Sequence, residues 1–202
     1  MTLQRSRRDS RDDQGFTLIE MLVATMILTL VMSIVGGLVI SMVKTDRSVR
    51  ATTAATTQGQ LVTESIERGI RNSMLSTTPA FALTAPVTGD QFLVARTAGS
   101  ASTLVWRCTA WYYSASERTI RSFSSTAQIA APSSATRSGW TLLAEGVRPA
   151  VSGGTVFSQS SSSTGQTLQL ALTVDAGTSP RVAFTTSATS RVGTVTGAPT
   201  CF

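Results

Sequence analysis

Histidine is absent from all 202 residues. That removes imidazole as a general acid or base, the Ser-His-Asp triad and every histidine-containing metal site. The two cysteines, Cys108 and Cys201, are too few for a four-cysteine zinc site or an iron–sulfur cluster. Charge is scarce as well, at 14% of residues, well below the usual share of soluble domains. Ser and Thr stand where the charge is missing. Beyond residue 79 the carboxylates are Asp90, Glu117, Glu145 and Asp175, widely spaced along the chain. Neither an enzyme nor a cofactor-binding protein is expected from such a set.

What charge there is leans positive, with a net +6 and a pI of about 10.6. A basic protein invites nucleic acid or an anionic surface as partner. Here the basic residues are spread thinly. Arg5, Arg7, Arg8 and Arg11 precede a hydrophobic run, Lys44, Arg47 and Arg50 follow it, and the others are isolated or loosely paired. No basic stripe with interleaved aromatics is present, so nucleic acid stays open as a partner without being indicated.

The longest feature is the run from Phe16 to Val43, 28 residues with one charge, Glu20, and no proline. As a helix it would reach about 42 Å, more than the roughly 30 Å hydrocarbon core of a bilayer. It is apolar all round, which suits lipid or a bundle core. A secretory signal would have a shorter apolar region and a small-residue cleavage site after it. A single membrane-spanning helix is therefore expected. The balance of basic residues leans towards an N-terminus on the cytoplasmic side. Glu20 has two readings on these grounds alone: a functional ionisable group in the membrane, or a carboxylate snorkelling to the interface.

The residues Gly15-Phe16-Thr17-Leu18-Ile19-Glu20, set between a short charged leader and a long apolar run, resemble the processing site of type IV pilins and of the pseudopilins of type II secretion and competence systems. The resemblance covers about the first 45 residues closely and the remainder in architecture. It implies that a prepilin peptidase cuts between Gly15 and Phe16, removes residues 1–15 as a cytoplasmic leader, and N-methylates Phe16. Gly15 fits close approach of a peptidase to the backbone. It further implies that Glu20 pairs with the N-terminal amine of a neighbouring subunit, where a low dielectric strengthens the attraction. Many pilins carry a proline partway along this helix. This chain has Gly36-Gly37 in that region, readable as a weak point of the helix or as a close packing surface.

Residues 44–78 are expected to continue the helix in amphipathic form, with Leu61, Val62, Ile66, Ile70 and Met74 as the apolar stripe. Glu64 and Glu67 should pair with Arg68 and Arg71 at i,i+4. The threonine-rich stretch Ala51–Gln60, with Gly59, is a poor helix former, so a bend or frayed turn is expected there. Pro79 closes the helical region. Residues 79–202 then read as a β-rich head, with strands at Gln91–Arg96, Thr103–Ser114, Arg118–Phe123, Trp140–Ala144, Thr155–Gln159, Thr167–Val174 and Arg181–Thr186. Ser- and Gly-rich breaks separate them, Ser160–Gly165 among these. The class is α+β, a long helix packed on an antiparallel sheet, which is also the layout of pilin heads. Trp106, Trp111, Tyr112, Tyr113 and Trp140 are expected to fill a core more than to stack on a ligand. With the head exported, Cys108 and Cys201 are expected to form a disulfide that pins the C-terminal residues.

The resemblance implies a structural subunit that is drawn from the membrane into a filament. Its partners would be prepilin peptidase, other pilin or pseudopilin subunits, a membrane assembly platform and, before assembly, the lipid bilayer. Location would be the cytoplasmic membrane, single-pass, with the head outside the cytoplasm. The large head and the pattern WYYSASERTIRS, WTLLAEGV and LQLALTV resemble PilW/J-type minor pseudopilin heads. The alternatives are a tip adhesin or DNA-binding subunit, and a major fibre subunit.

Overall fold

The computed structural model describes residues 17–75, 79–98, 105–162, 165–177, 179–193 and 200–202. The chain divides into two compact units between Asp46 and Arg47. Helix α1, Leu18–Arg71, supplies nearly all of the described residues of the first and the opening of the second.

In the first unit the apolar side chains of α1 are exposed on every side, from Leu18 and Ile19 through Met32 and Ile34 to Met42 and Val43. By length and composition the helix can cross a membrane. Three of its hydroxyls are turned onto its own backbone: Thr25 Oγ1 donates to Leu22 O at 3.0 Å, Thr29 Oγ1 to Met26 O at 2.9 Å and Ser33 Oγ to Thr29 O at 2.9 Å. Those three donors are satisfied within the helix, which lowers the cost of placing them in lipid.

In the second unit α1 runs through Ala51–Gln60 without the expected bend. Thr52 Oγ1 donates to Ser48 O at 3.0 Å, Thr56 Oγ1 to Thr52 O at 2.8 Å and Thr57 Oγ1 to Thr53 O at 3.0 Å. Packing of the helix face outweighs the poor propensity. The buried positions are Ala55, Gly59, Val62, Ile66, Gly69 and Ile70, a helical period that includes small residues. Leu61, placed on the stripe from sequence, is instead 48% exposed. The pairs Arg68–Glu64 and Arg71–Glu67 form as expected, the latter at 3.1 Å.

The helix stops at Arg71, earlier than Pro79 would require. Ser73 donates through both N and Oγ to Ile70 O, closing the last turn at 3.0 and 2.6 Å. The chain then enters β1 (Met74–Leu75), which pairs in parallel with β11 (Arg191–Val192). Met74 is thus a strand residue.

Two larger sheets follow. The first is an antiparallel five-stranded meander of β2 (Phe81–Thr84), β3 (Gln91–Ala98), β4 (Trp106–Ser114), β5 (Thr119–Ser125) and β6 (Thr141–Ala144), in that order. A short helix, α2 (Ser134–Arg137), lies between β5 and β6, with Ser133 as its N-cap. The second sheet is built on β9 (Gly165–Ala176). Its one edge pairs with β10 (Ser179–Thr189), and its other takes β8 (Phe157–Ser162) along the first half and β7 (Val147–Pro149) along the second. The serine run expected to be a break is strand: Ser160 and Ser161 face Thr167 and Gln166. Pro149 sits in the edge strand β7, where a missing N–H is tolerated.

Strand alternation divides the core in two. Leu93, Ala95, Trp111, Tyr113 and Ile120 turn towards α1 and pack with Val62, Ile66, Ile70 and the β8–β9 residues Phe157, Leu168, Leu170 and Leu172. Phe92, Val94, Cys108, Ala110 and Tyr112 turn to the opposite face, where Ile129, Trp140 and Cys201 cover them. Both faces of the meander are therefore buried. Each fully buried side chain of this size contributes about 1.5–3 kcal/mol.

Candidate functional site

The cleavage and methylation residues Gly15 and Phe16 lie outside the described residues. The description opens at Thr17, which serves as the cap of α1: Glu20 N donates to Thr17 Oγ1 at 3.3 Å and to Thr17 O at 3.1 Å. Thr17 and Glu20 thus stand at N-cap and N3 and form one half of a capping box. The spacing T-x-x-E was legible in the sequence but is hidden there by the stronger apolar pattern. The Glu20 carboxylate also lies in the first turn, where the partial positive charge of the helix N-terminus favours an anion.

Gly36 and Gly37 lie within continuous α1, and a Cβ added at either would meet nothing within 4 Å. In the isolated chain they mark a bare strip on the helix surface and no break.

In the head, Cys108 and Cys201 are bonded, with Cα atoms 5.4 Å apart and a sequence separation of 93. Both are buried. The bond attaches the C-terminal residues to β4, on the side of the meander facing away from α1, and closes the second core. Constraining so long a loop in the unfolded chain is worth about 2–4 kcal/mol.

Comparison with protein families finds a match over residues 10–36 to the prokaryotic N-terminal methylation motif. The matched residues hold Gly15, Phe16, Thr17 and Glu20 and run on to Gly36. Behind them the chain has a long N-terminal helix and antiparallel sheets. Residues 10–36 thus carry the N-terminal motif of type IV pilin-like and pseudopilin-like proteins. No curated protein and no solved structure matches it. The motif implies processing by a prepilin peptidase and assembly with other pilin subunits, and with the exposed apolar helix it marks a membrane-anchored chain.

The head of this pilin-like protein uses its polar residues to hold its layers. Asp90, buried, accepts from Tyr112 Oη at 2.6 Å and from Ala115 N at 2.7 Å. Arg137 of α2 lies 4.9 Å over the Tyr112 ring, donates to Ser114 Oγ at 2.7 Å and pairs with Glu117 at 3.3 Å. Burial, followed by the hydrogen bond and the charge of Asp90, pushes the Tyr112 phenol up to about 12. Asp175 pairs with Arg181 at 2.7 Å and Arg148 at 3.5 Å. Burial alone would raise its carboxyl, but the Arg181 hydrogen bond and the two guanidinium charges hold it below its ordinary value.

Two glutamines do what sequence reading missed. Gln91 of β3 accepts from Val156 N at 2.7 Å and Phe157 N at 2.9 Å, and donates to Phe157 O at 2.8 Å. Gln166 of β9 accepts from Ala80 N at 3.0 Å and Phe81 N at 3.3 Å, and donates to Phe81 O at 2.9 Å. Each sheet thus grips the other's backbone with a buried amide. A glutamine beside a strand gives no signal of this kind, because its partners are remote in sequence.

The five aromatics weighed as ligand platforms are all buried: Trp106 8%, Trp111 1%, Tyr112 1%, Tyr113 3% and Trp140 8% exposed. Trp111 and Tyr113 belong to the core facing α1, Tyr112 and Trp140 to the opposite core, and Trp106 is buried outside both.

Proposed function

We propose that this chain is a minor pilin or pseudopilin, cut by prepilin peptidase between Gly15 and Phe16, methylated at Phe16 and incorporated into, or priming, a type IV pilus-like filament. The methylation-motif match over residues 10–36 carries the reading. The leader is residues 1–15, the membrane and assembly helix 16–43, its amphipathic continuation 44–78 and the head 79–202. Before assembly the chain is a single-pass protein of the cytoplasmic membrane with its head outside.

Glu20 is the assembly residue: its carboxylate receives the positively charged amine of a neighbouring Phe16, and an unpaired charge at that depth would be costly. Gly36 and Gly37 are the place where the helix yields or packs closely on assembly. The work is done by helix packing and head contacts. The size of the head and its PilW/J-like pattern support a minor role over a major one.

Intact-mass analysis of sheared filaments and of the membrane fraction tests this. A trace chain beginning at methylated Phe16 beside an abundant second pilin is expected. A chain that dominates the fibre would make it the major subunit, and a membrane-bound chain still beginning at Met1 would sink the reading.

A further inference from the structure

On the outer face of the second sheet, strand register brings cations together. Arg148 on β7 stands opposite Thr173 on β9, and Thr173 stands opposite Ala183 on β10. The β10 register is interrupted between Ser179 and Val182, and Arg181, within that irregularity, lines the same cavity as Arg148 and Thr173. The β4–β5 turn adds Arg118, whose backbone is in the left-handed region at φ 56, the one non-glycine residue with positive φ among the described residues. Val147 N donates to Arg118 O at 2.8 Å and fixes that conformation to the start of β7. Holding a non-glycine residue there costs free energy, and such residues cluster at functional sites.

The result is an open pocket of about 320 Å³ lined by Arg118, Arg148 and Arg181, with Tyr113, Thr173 and Ser152. No carboxylate lines it. Asp175, which pairs with Arg148 and Arg181, belongs to the adjoining depression on their other side. Arg148 Nε faces Asp175 Oδ2 at 3.5 Å and Arg181 Nε faces Oδ1 at 2.7 Å, so one carboxylate serves two of the three guanidiniums. The cavity keeps an excess of positive charge, which a further anion would relieve.

We infer that this pocket, built by Arg118, Arg148 and Arg181, is a binding site for a single phosphate group. The chemistry selects a tetrahedral oxyanion over a carboxylate. Guanidinium forks match phosphate oxygens in pairs, and the two positive charges in excess of Asp175 suit a dianion better than a single carboxylate. The cavity has room for one such group and its first substituent. The site lies wholly in the head and does not depend on the proposed role in filaments.

The test is calorimetric titration of the full chain in neutral detergent, at low ionic strength, with inorganic phosphate, dimethyl phosphate and acetate. Saturable binding of phosphate at one site per chain is expected, with acetate weaker by at least about tenfold. Arg118→Ala, a change at an exposed side chain, should weaken phosphate by at least about tenfold. Arg107→Ala, on the exposed side of β4, should leave it unchanged. Asp175→Asn should tighten it several-fold, because Arg148 and Arg181 lose their competing carboxylate. Dimethyl phosphate binding alongside phosphate would assign the site to the phosphodiesters of a polymer; binding of phosphate alone would assign it to free or terminal phosphate. No saturable binding, equal binding of acetate, or binding that survives Arg118→Ala would overturn the inference.

Discussion

Gly69 of α1 lies against the indole of Trp111 on β4, so that a Cβ placed on Gly69 would stand 2.2 Å from Trp111 Cη2. The ring is held from a second side, because Trp111 Nε1 donates to Ser65 Oγ at 3.0 Å. Helix and sheet approach as closely as they do because one helix position has no side chain.

Gly69→Ala is accordingly expected to destabilise the head by about 1–3 kcal/mol, since overpacking a buried ring tied by its Nε1 to Ser65 outweighs the roughly 1 kcal/mol gained in helix propensity. Gly59→Ala sets a contrast. Its Cβ would come within 2.0 Å of the Phe184 ring, but Phe184 is only partly buried at the margin of the core and can turn outward. A change within about 1 kcal/mol is expected there. Urea unfolding of the two variants side by side measures the difference, and equal losses would mean that the Trp111 site yields as easily as Phe184.

Gln91→Leu should cost about 3 kcal/mol or more, because Val156 N, Phe157 N and Phe157 O all lose a buried partner. Gln166→Leu should cost a similar amount through Ala80 and Phe81. Hydrogen exchange at the amides of residues 156 and 157 should rise in the first variant. Unchanged protection would show that the amide clasp does not hold the two sheets together.

Reduction of Cys108–Cys201, or Cys201→Ser, is expected to lower stability by about 2–4 kcal/mol. The loss should fall on the core around Phe92, Tyr112 and Trp140. Tryptophan fluorescence should therefore change in the reduced protein before global unfolding. A denaturation midpoint insensitive to reductant would remove the bond from the list of stabilising features.

The chain has two tyrosines, and burial raises both: Tyr112 to about 12, Tyr113 in the same direction. The folded state then binds more protons than the unfolded state above pH 10, so this contribution to stability is present below pH 10 and is lost as pH rises towards 12. Ultraviolet titration should find little tyrosinate in the folded protein at pH 10 and about half ionisation in urea. Equal ionisation in both would contradict the burial of these phenols.

Much of the fold was legible because it rests on periodic signals. Alternation marked the main strands, and Leu168-Gln169-Leu170-Ala171-Leu172 reads as a half-buried strand in sequence and is one in β9. Strands β1, β2, β7 and β11 gave no such signal, since two to four residues cannot establish a period; β6, equally short, was expected as Trp140–Ala144. Leu61 and Gly69 show the other limit. Hydrophobicity ranks leucine as the core residue, whereas the core takes the glycine, because Trp111 already fills the space.

Local chemistry determined what the chain is by itself. A glycine, a phenylalanine and a glutamate at fixed spacing before a long apolar run make up a motif of contiguous residues, so no folding is needed to recognise it. The tertiary structure decided everything that depends on residues distant in sequence: the amide clasps of Gln91 and Gln166, the burial of the aromatics and the gathering of Arg118, Arg148 and Arg181. Those residues meet only when β4, β7, β9 and β10 are in register, and side-chain type alone carries no record of which strands will be neighbours.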